Sequence, residues 1–236
     1  SEMCIRDRSS GFTPCKGKII MNQFINVTNS LLEGFGQNCL IFIVTILAAM
    51  PLGLIVSMGS MSKFKPIKWI TKTFVWIIRG TPLMLQLFVV FYVPPLMTNG
   101  GFNFSRINAA LIAFIINYSA YFSEIYRGGI ESVPKGQYEA GQVLGMTKPQ
   151  IFFKVVLMQV VKKITAPIGN EIITLVKDTS LAFALAYTEM FTLAKQIAAA
   201  NASIMPLFVA GVFYYIFNFV VAWIMETIEK KMRYYK

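Results

Sequence analysis

The chain has 236 residues, 56% of them apolar and 14% charged, with a formal net charge of +11. The apolar residues come in long runs instead of dispersed stripes, which excludes an ordinary water-soluble domain and indicates a chain that crosses a membrane. Three cysteines (Cys4, Cys15, Cys39) and the lack of any histidine argue against a disulfide framework, a zinc site and histidine-dependent catalysis.

The first twenty residues, SEMCIRDRSSGFTPCKGKII, are polar and irregular and lack the apolar core of a signal peptide. SEMCIRDR resembles the translated read-through of a transposon adapter used in preparing sequencing libraries. The segment 1–20 is therefore expected to be a non-native tail with Met21 as the start; the alternative is a disordered native tail. Beyond it, apolar runs at about 38–61, 74–96, 107–126, 164–187 and 206–228 each reach the roughly 20 residues that a ~30 Å hydrocarbon layer requires. Lipid offers backbone amides no partner, so these runs are expected to be helices: one all-α membrane domain over 21–236, of about five spans.

Lysine and arginine concentrate on one side of this pattern. Lys63, Lys65, Lys68 and Lys72 follow the first span; Arg127, Lys135, Lys148, Lys154, Lys162 and Lys163 lie between the third and fourth; Lys230, Lys231, Arg233 and Lys236 follow the last. Only Arg106 and Lys195 fall on the other side. Short cytoplasmic loops carry the basic excess, so the N-terminus is expected outside, the C-terminus inside and 127–163 as a large cytoplasmic loop. The charges flank the membrane instead of forming one soluble basic face, which argues against nucleic acid as a partner.

In the second span, Pro82 removes the amide that would bond the Ile78 carbonyl, and Gly80 adds a second weak point, so a kink or break is expected at Arg79, Gly80, Thr81 and Pro82. The reading as a moving gate and that as a static kink stay open. In the third span Asn117, Tyr118, Tyr121 and Glu124 fall within an arc of about 120°; Asn117 and Tyr118 are second-tier pocket candidates, and Glu124, nearer the cytoplasmic end, either pairs with Arg79 or takes a direct part in transport. The fourth span carries Glu171, Lys177 and Asp178. Taking Asn170 as zero, Thr174 falls near 40°, Asp178 near 80°, Glu171 near 100° and Lys177 near −20°. Ionisable groups at mid-membrane cost about 2.5–3.5 kcal/mol, so this face is expected to line a watery or enclosed path. Its carboxylates receive an ammonium group, or else they only neutralise Lys177 or join two subunits. Glu189 and Lys195, in the stretch that follows, are weak candidates for contact with a substrate-delivery protein. Anchoring at the membrane boundary accounts for Trp69, Trp76 and Trp223.

The loop 127–163 has its own structure: Pro134 starts a helix, and Gly145 and Pro149 punctuate its end before a second helical run from about Gln150. Gly141 and Gly145, four residues apart, let another backbone approach closely. The loop reads Glu139-Ala140-Gly141, three residues, Gly145, nine residues, Val155-x-Leu157. That spacing resembles the Glu-Ala-Ala loop of ABC importer permeases, with Gly141 for the second alanine, Val155 for isoleucine and Met158 for the usual proline. Without that proline, the helix entering the fourth span is expected to be less kinked than is usual. Arg79-Gly80-Thr81-Pro82-Leu83 with Gln86-Leu87-Phe88, Asn117-Tyr118-Ser119-Ala120-Tyr121 with Glu124 and Arg127-Gly128-Gly129-Ile130, and Lys177-Asp178-Thr179-Ser180-Leu181 resemble the signatures of the polar amino acid branch. The resemblance covers roughly 30–230.

It implies a permease subunit of the bacterial inner membrane that pairs with an identical or related copy, two cytoplasmic ATPases and an external amino-acid-binding protein. The Glu139, Ala140, Gly141, Gly145 and Leu157 loop would seat in the ATPase. No G-x-x-x-x-G-K-[ST] phosphate loop occurs, so ATP and magnesium would belong to that partner, with no cofactor held by this chain. A permease for another solute, such as a compatible osmolyte, is the nearest alternative. An ATPase-independent secondary transporter is disfavoured because no internal duplication is visible, and a membrane enzyme because no nucleophile–base pair is.

Overall fold

The computed structural model describes residues 16–232, with side chains from 24 onward. Of the expected tail, 1–15 lie outside the described residues and 16–20 belong to the first helix; Arg233 and Lys236 also lie outside. The elements in order are helices α1 (Lys16–Ser60), α2 (Lys65–Gly80), α3 (Leu83–Met97), α4 (Arg106–Glu131), α5 (Lys135–Val143) and α6 (Lys148–Ile151), a π-helical turn (Phe152–Val156), α7 (Leu157–Asp178), a 3-10 helix (Thr179–Leu185), α8 (Met190–Ala200) and α9 (Met205–Met232).

Among the described residues three helices are long and apolar enough to cross a membrane: α1 over Phe24–Ser60, α4 and α9; α2 with α3 adds a fourth if the pair is one span. Five were expected. The missing one is α7, whose Lys162, Lys163, Glu171, Lys177 and Asp178 make it too polar by composition. Its apolar residues are nevertheless enclosed: Val160, Ile164, Ile168, Ile172, Leu175 and Val176 are buried among the other helices.

The second run does not continue straight through Gly80–Pro82. Thr81 (φ −119°, ψ 144°) and Pro82 (φ −63°, ψ 136°) are extended, and α2 and α3 meet at a bend of 110°. The orphaned Ile78 carbonyl is taken by the Gln86 side-chain amide at 2.8 Å, which also donates to the Thr81 carbonyl at 3.1 Å and hydroxyl at 2.9 Å. The end of α2 thus keeps its hydrogen bonds at the break through one glutamine.

At the centre stands α4, capped by the Ser105 hydroxyl, which accepts from the Asn108 amide at 3.3 Å. Its Ala109, Ala110 and Ala113 are buried, and α1, α2, α3 and α7 pack around it. Without Cβ atoms the backbones come close: a Cβ on Gly53 of α1 would stand 2.8 Å from Phe122 Cβ and 3.0 Å from the Ser119 carbonyl oxygen. Between α4 and α7 the chain makes the short α5–α6 hairpin. Gly141 packs under Ile151, Gly145 turns the chain at φ +74°, and Thr147 and Gln150 cap α6 reciprocally. Within the chain both glycines shape the hairpin itself, Gly141 buried under Ile151 and Gly145 exposed at the turn. Met158 lies within continuous helix, and the irregularity falls one turn earlier, at Phe152–Val156.

Gly53→Ala is expected to destabilise the chain by about 1–3 kcal/mol through overpacking against α4. Gly36→Ala, where a Cβ meets nothing within 4 Å, serves as control. Thermal unfolding in detergent checks the pair: the midpoint falls for the first variant and not for the second.

Candidate functional site

The α2–α3 break opens a cavity of about 320 Å³ against α4 and α7, lined by Thr81, Pro82, Leu83, Asn117, Tyr118, Tyr121, Glu171, Thr174 and Asp178. That is the small end of the range of ligand pockets, about 300–1,000 Å³. Five of the six substrate candidates meet here. Asp178 accepts from the Tyr118 hydroxyl at 2.8 Å, and Asn117 donates to Gln86 at 3.0 Å, so the glutamine that seals the break also fixes a wall of the cavity. Thr174 spends its proton on the Asn170 carbonyl at 2.9 Å. The Glu171 carboxylate, part-buried, has no hydrogen bond and no ion pair within 4.0 Å among the described residues.

The arc read from the sequence divides in the structure. Asn170, the sixth candidate, lines a different cavity between α7 and α9, of about 500 Å³, with Gly169, Trp223, Met225 and Glu226. Lys177 faces Phe191 and Tyr214 and forms no ion pair within 4.0 Å with Glu171 or Asp178 among the described residues. Asn170 and Lys177 share one edge of the arc, and the helices packed against that edge take them, α9 beside Asn170 and α8 with α9 beside Lys177.

Arg79 and Gly80 line a third cavity, between α2 and α4, while Thr81 and Pro82 face the first. The Arg79 guanidinium lies 5.1 Å from the Tyr121 ring centre and 3.7 Å from Glu124, the pairing expected from the sequence. Arg127 holds Glu124 more tightly, at 2.6 and 3.1 Å, and reaches Glu131 at 2.7 Å. Tyr121 thus stands between the arginine and the carboxylate-lined cavity.

Glu189 is not available to an outside partner. It is fully buried, capping α8 by accepting from the Phe191 and Thr192 amides at 2.7 and 2.6 Å. Asn38 of α1 donates to Glu189, Thr179 and Tyr214 at 3.2, 3.1 and 2.8 Å and accepts from the Met190 amide at 3.1 Å. Sequence reasoning missed this network; its one signal was a polar asparagine at the start of an apolar run. Lys195 lies over the Phe183 and Phe191 rings at 4.9 and 5.7 Å.

In the α5–α6 hairpin Glu139 and Ala140 are exposed, Gly141 is buried and Leu157 is half-buried. The hairpin bares three apolar side chains not singled out beforehand, Val143 (87% exposed), Leu144 (78%) and Phe153 (65%). Isolated exposed apolar residues mean little, but three on one short hairpin flanked by Lys135, Lys148 and Lys154 form a patch of the kind seen at protein contacts.

The model of the family "Binding-protein-dependent transport system inner membrane component" matches residues 23–234. The chain belongs to that family. The permease is 39% identical to the L-cystine transport system permease protein of Bacillus subtilis, over 82% of each chain. It is 33% identical to the arginine transport system permease protein of the same organism, over 86% of this chain and 92% of the other. Among solved structures, an amino acid ABC transporter crystallised with histidines superposes with a TM-score of 0.80 at 26% identity, covering 93% of this chain and all of that one. The MetNI methionine ABC transporter, at 15% identity and a TM-score of 0.65, shares the fold.

Asn38→Ala would leave Glu189, Thr179 and the Met190 amide short of partners, a loss of about 1–3 kcal/mol for each buried group left unsatisfied. A lowered thermal midpoint in detergent is the expected result; an unchanged one would mean that the network contributes nothing to stability.

Proposed function

We propose that this permease conducts a polar amino acid across the bacterial inner membrane through the cavity between α3, α4 and α7, driven by an ATPase seated on the α5–α6 hairpin. The observation that carries this reading is the pair Glu171 and Asp178, two carboxylates lining one half-open cavity of about 320 Å³, the first without a hydrogen bond or ion pair among the described residues. An α-ammonium or a basic side chain supplies the missing charge, and Tyr118, Thr174 and Asn117 offer polar contacts around it. The relatives named for cystine and arginine transport support the substrate class.

The chain lies with its N-terminus outside and C-terminus in the cytoplasm, as the basic residues ask. Val143, Leu144 and Phe153 enter a cleft of the ATPase while Glu139 and the flanking lysines set register. The hairpin is joined directly to α4 and, through the π-helical turn, to α7, so force applied to it reaches both walls of the cavity. Closure of two ATPases on ATP draws two such permeases into the outward-open arrangement, and hydrolysis resets them. A binding protein delivers the amino acid from outside.

Glu171→Gln and Asp178→Asn are each expected to weaken uptake affinity by about tenfold or more, through loss of a charge-assisted contact of about 1.5–3 kcal/mol. Uptake into proteoliposomes of the complete complex measures this, with basic, acidic and amide amino acids compared; wild-type affinity in both variants contradicts the assignment. Leu144→Asp or Glu139→Lys, both on exposed positions, should uncouple ATP hydrolysis from uptake without changing the thermal midpoint, and coupling that survives both would contradict the docking role.

A further inference from the structure

Helix α2 is amphipathic in an unusual order. Lys65, Lys68, Lys72 and Arg79 occupy an arc of about 60°, Trp69 and Trp76 lie along one edge of it, and Ile70, Phe74 and Ile77 centre about 180° from it. The side next to the basic row is the one packed on the protein: Val75 is buried, and Thr71 lies against Gly59 at the end of α1. The flanking and opposite sides are open, with Trp69 70%, Trp76 78%, Ile70 60% and Ile77 48% exposed. The 110° bend places α2 close to the membrane plane when α3 stands along its normal. It then runs from the last turn of α1 to the Glu124–Arg127 region of α4, across the ends of two spans. In that attitude lysines face water, isoleucines face hydrocarbon and tryptophans stand at the boundary, which is the order an interfacial helix requires.

The lysines lack a close carboxylate. Among the described residues none of Lys63, Lys65, Lys68 and Lys72 has a carboxylate within 4.0 Å. Beside them is the cavity of about 460 Å³ lined by Lys72, Trp76, Arg79, Glu124 and Arg127, whose one carboxylate is held closely by Arg127 and more loosely, at 3.7 Å, by Arg79. We propose that α2 lies in the headgroup layer and that this cavity takes the phosphate of an anionic phospholipid between Lys72 and Arg79, beside Trp76. The following residues, Thr81 and Pro82, line the carboxylate cavity, so the bound lipid braces its entrance. The proposal needs the membrane and not the substrate assignment, and it stands or falls separately from uptake.

The test uses the full chain in lipid nanodiscs, with Trp223→Phe so that only Trp69 and Trp76 emit. A nitroxide near the lipid headgroup is expected to quench them more than one at the chain end, and brominated phosphatidylglycerol more than brominated phosphatidylcholine. Replacing Lys65, Lys68 and Lys72 by Gln should reduce the phosphatidylglycerol preference by up to about fivefold per lysine while leaving the depth profile unchanged, which also shows that the helix still folds. Stronger quenching from the chain end, no quenching by either probe, as a covering second subunit would give, equal quenching by the two lipids, or loss of the preference on adding millimolar inorganic phosphate at constant ionic strength would each overturn it.

Discussion

Two carboxylates, Glu171 and Asp178, stand on a helix wrapped by apolar ones, and the cost of exposing either to hydrocarbon dictates where α7 stands. A charged group at mid-membrane costs several kcal/mol unless protein or water surrounds it. The chain meets this by enclosing α7: Ile164, Ile168, Ile172 and Leu175 join the main core, and α9 and α4 close over two sides. The remaining side opens on the cavity, where Tyr118 satisfies Asp178 and Glu171 has no hydrogen bond or ion pair among the described residues.

That opening exists because the second run is broken. The bend turns α2 aside and presents Thr81 and Pro82 to the cavity. Gln86 makes the break tolerable by taking the carbonyls that proline leaves unpaired, and it holds Asn117 with its other atom. The same region carries the Arg79–Tyr121 stack and the Glu124–Arg127 pair. Four residues after Arg127, α4 ends and the chain enters the hairpin that meets the ATPase in the proposed mechanism. Substrate chemistry, the bent helix and the coupling element thus share one short segment of structure.

Much of this was legible in the chain's letters because each signal was local. Pro82 and Gly80 announced a break, the spacing of Glu171, Thr174 and Asp178 put them on one face, and the Pro134–Pro149 stretch announced a helical hairpin. What was not legible depended on partners far apart in sequence. The separation of Asn170 and Lys177 from the cavity follows from where α9 and α8 pack, which no periodicity within α7 reveals. Glu189 read as an exposed contact because its partner Asn38 is 151 positions away. That the space over Gly141 is filled from within its own chain, by the Ile151 side chain, is equally invisible to spacing, while Gly145 stays open at the turn.

The central claim is that the Glu171–Asp178 face is wetted and receives the substrate. Thr174→Cys, between the two carboxylates, in a chain with Cys4, Cys15 and Cys39 replaced by Ser, tests it most directly within the assembled transporter. A water-soluble, membrane-impermeant thiol reagent should modify this cysteine, and the transported amino acid should protect it. Reaction only with a lipid-soluble reagent, unaffected by any amino acid, would mean that the face looks into hydrocarbon or a sealed interface and would contradict the account.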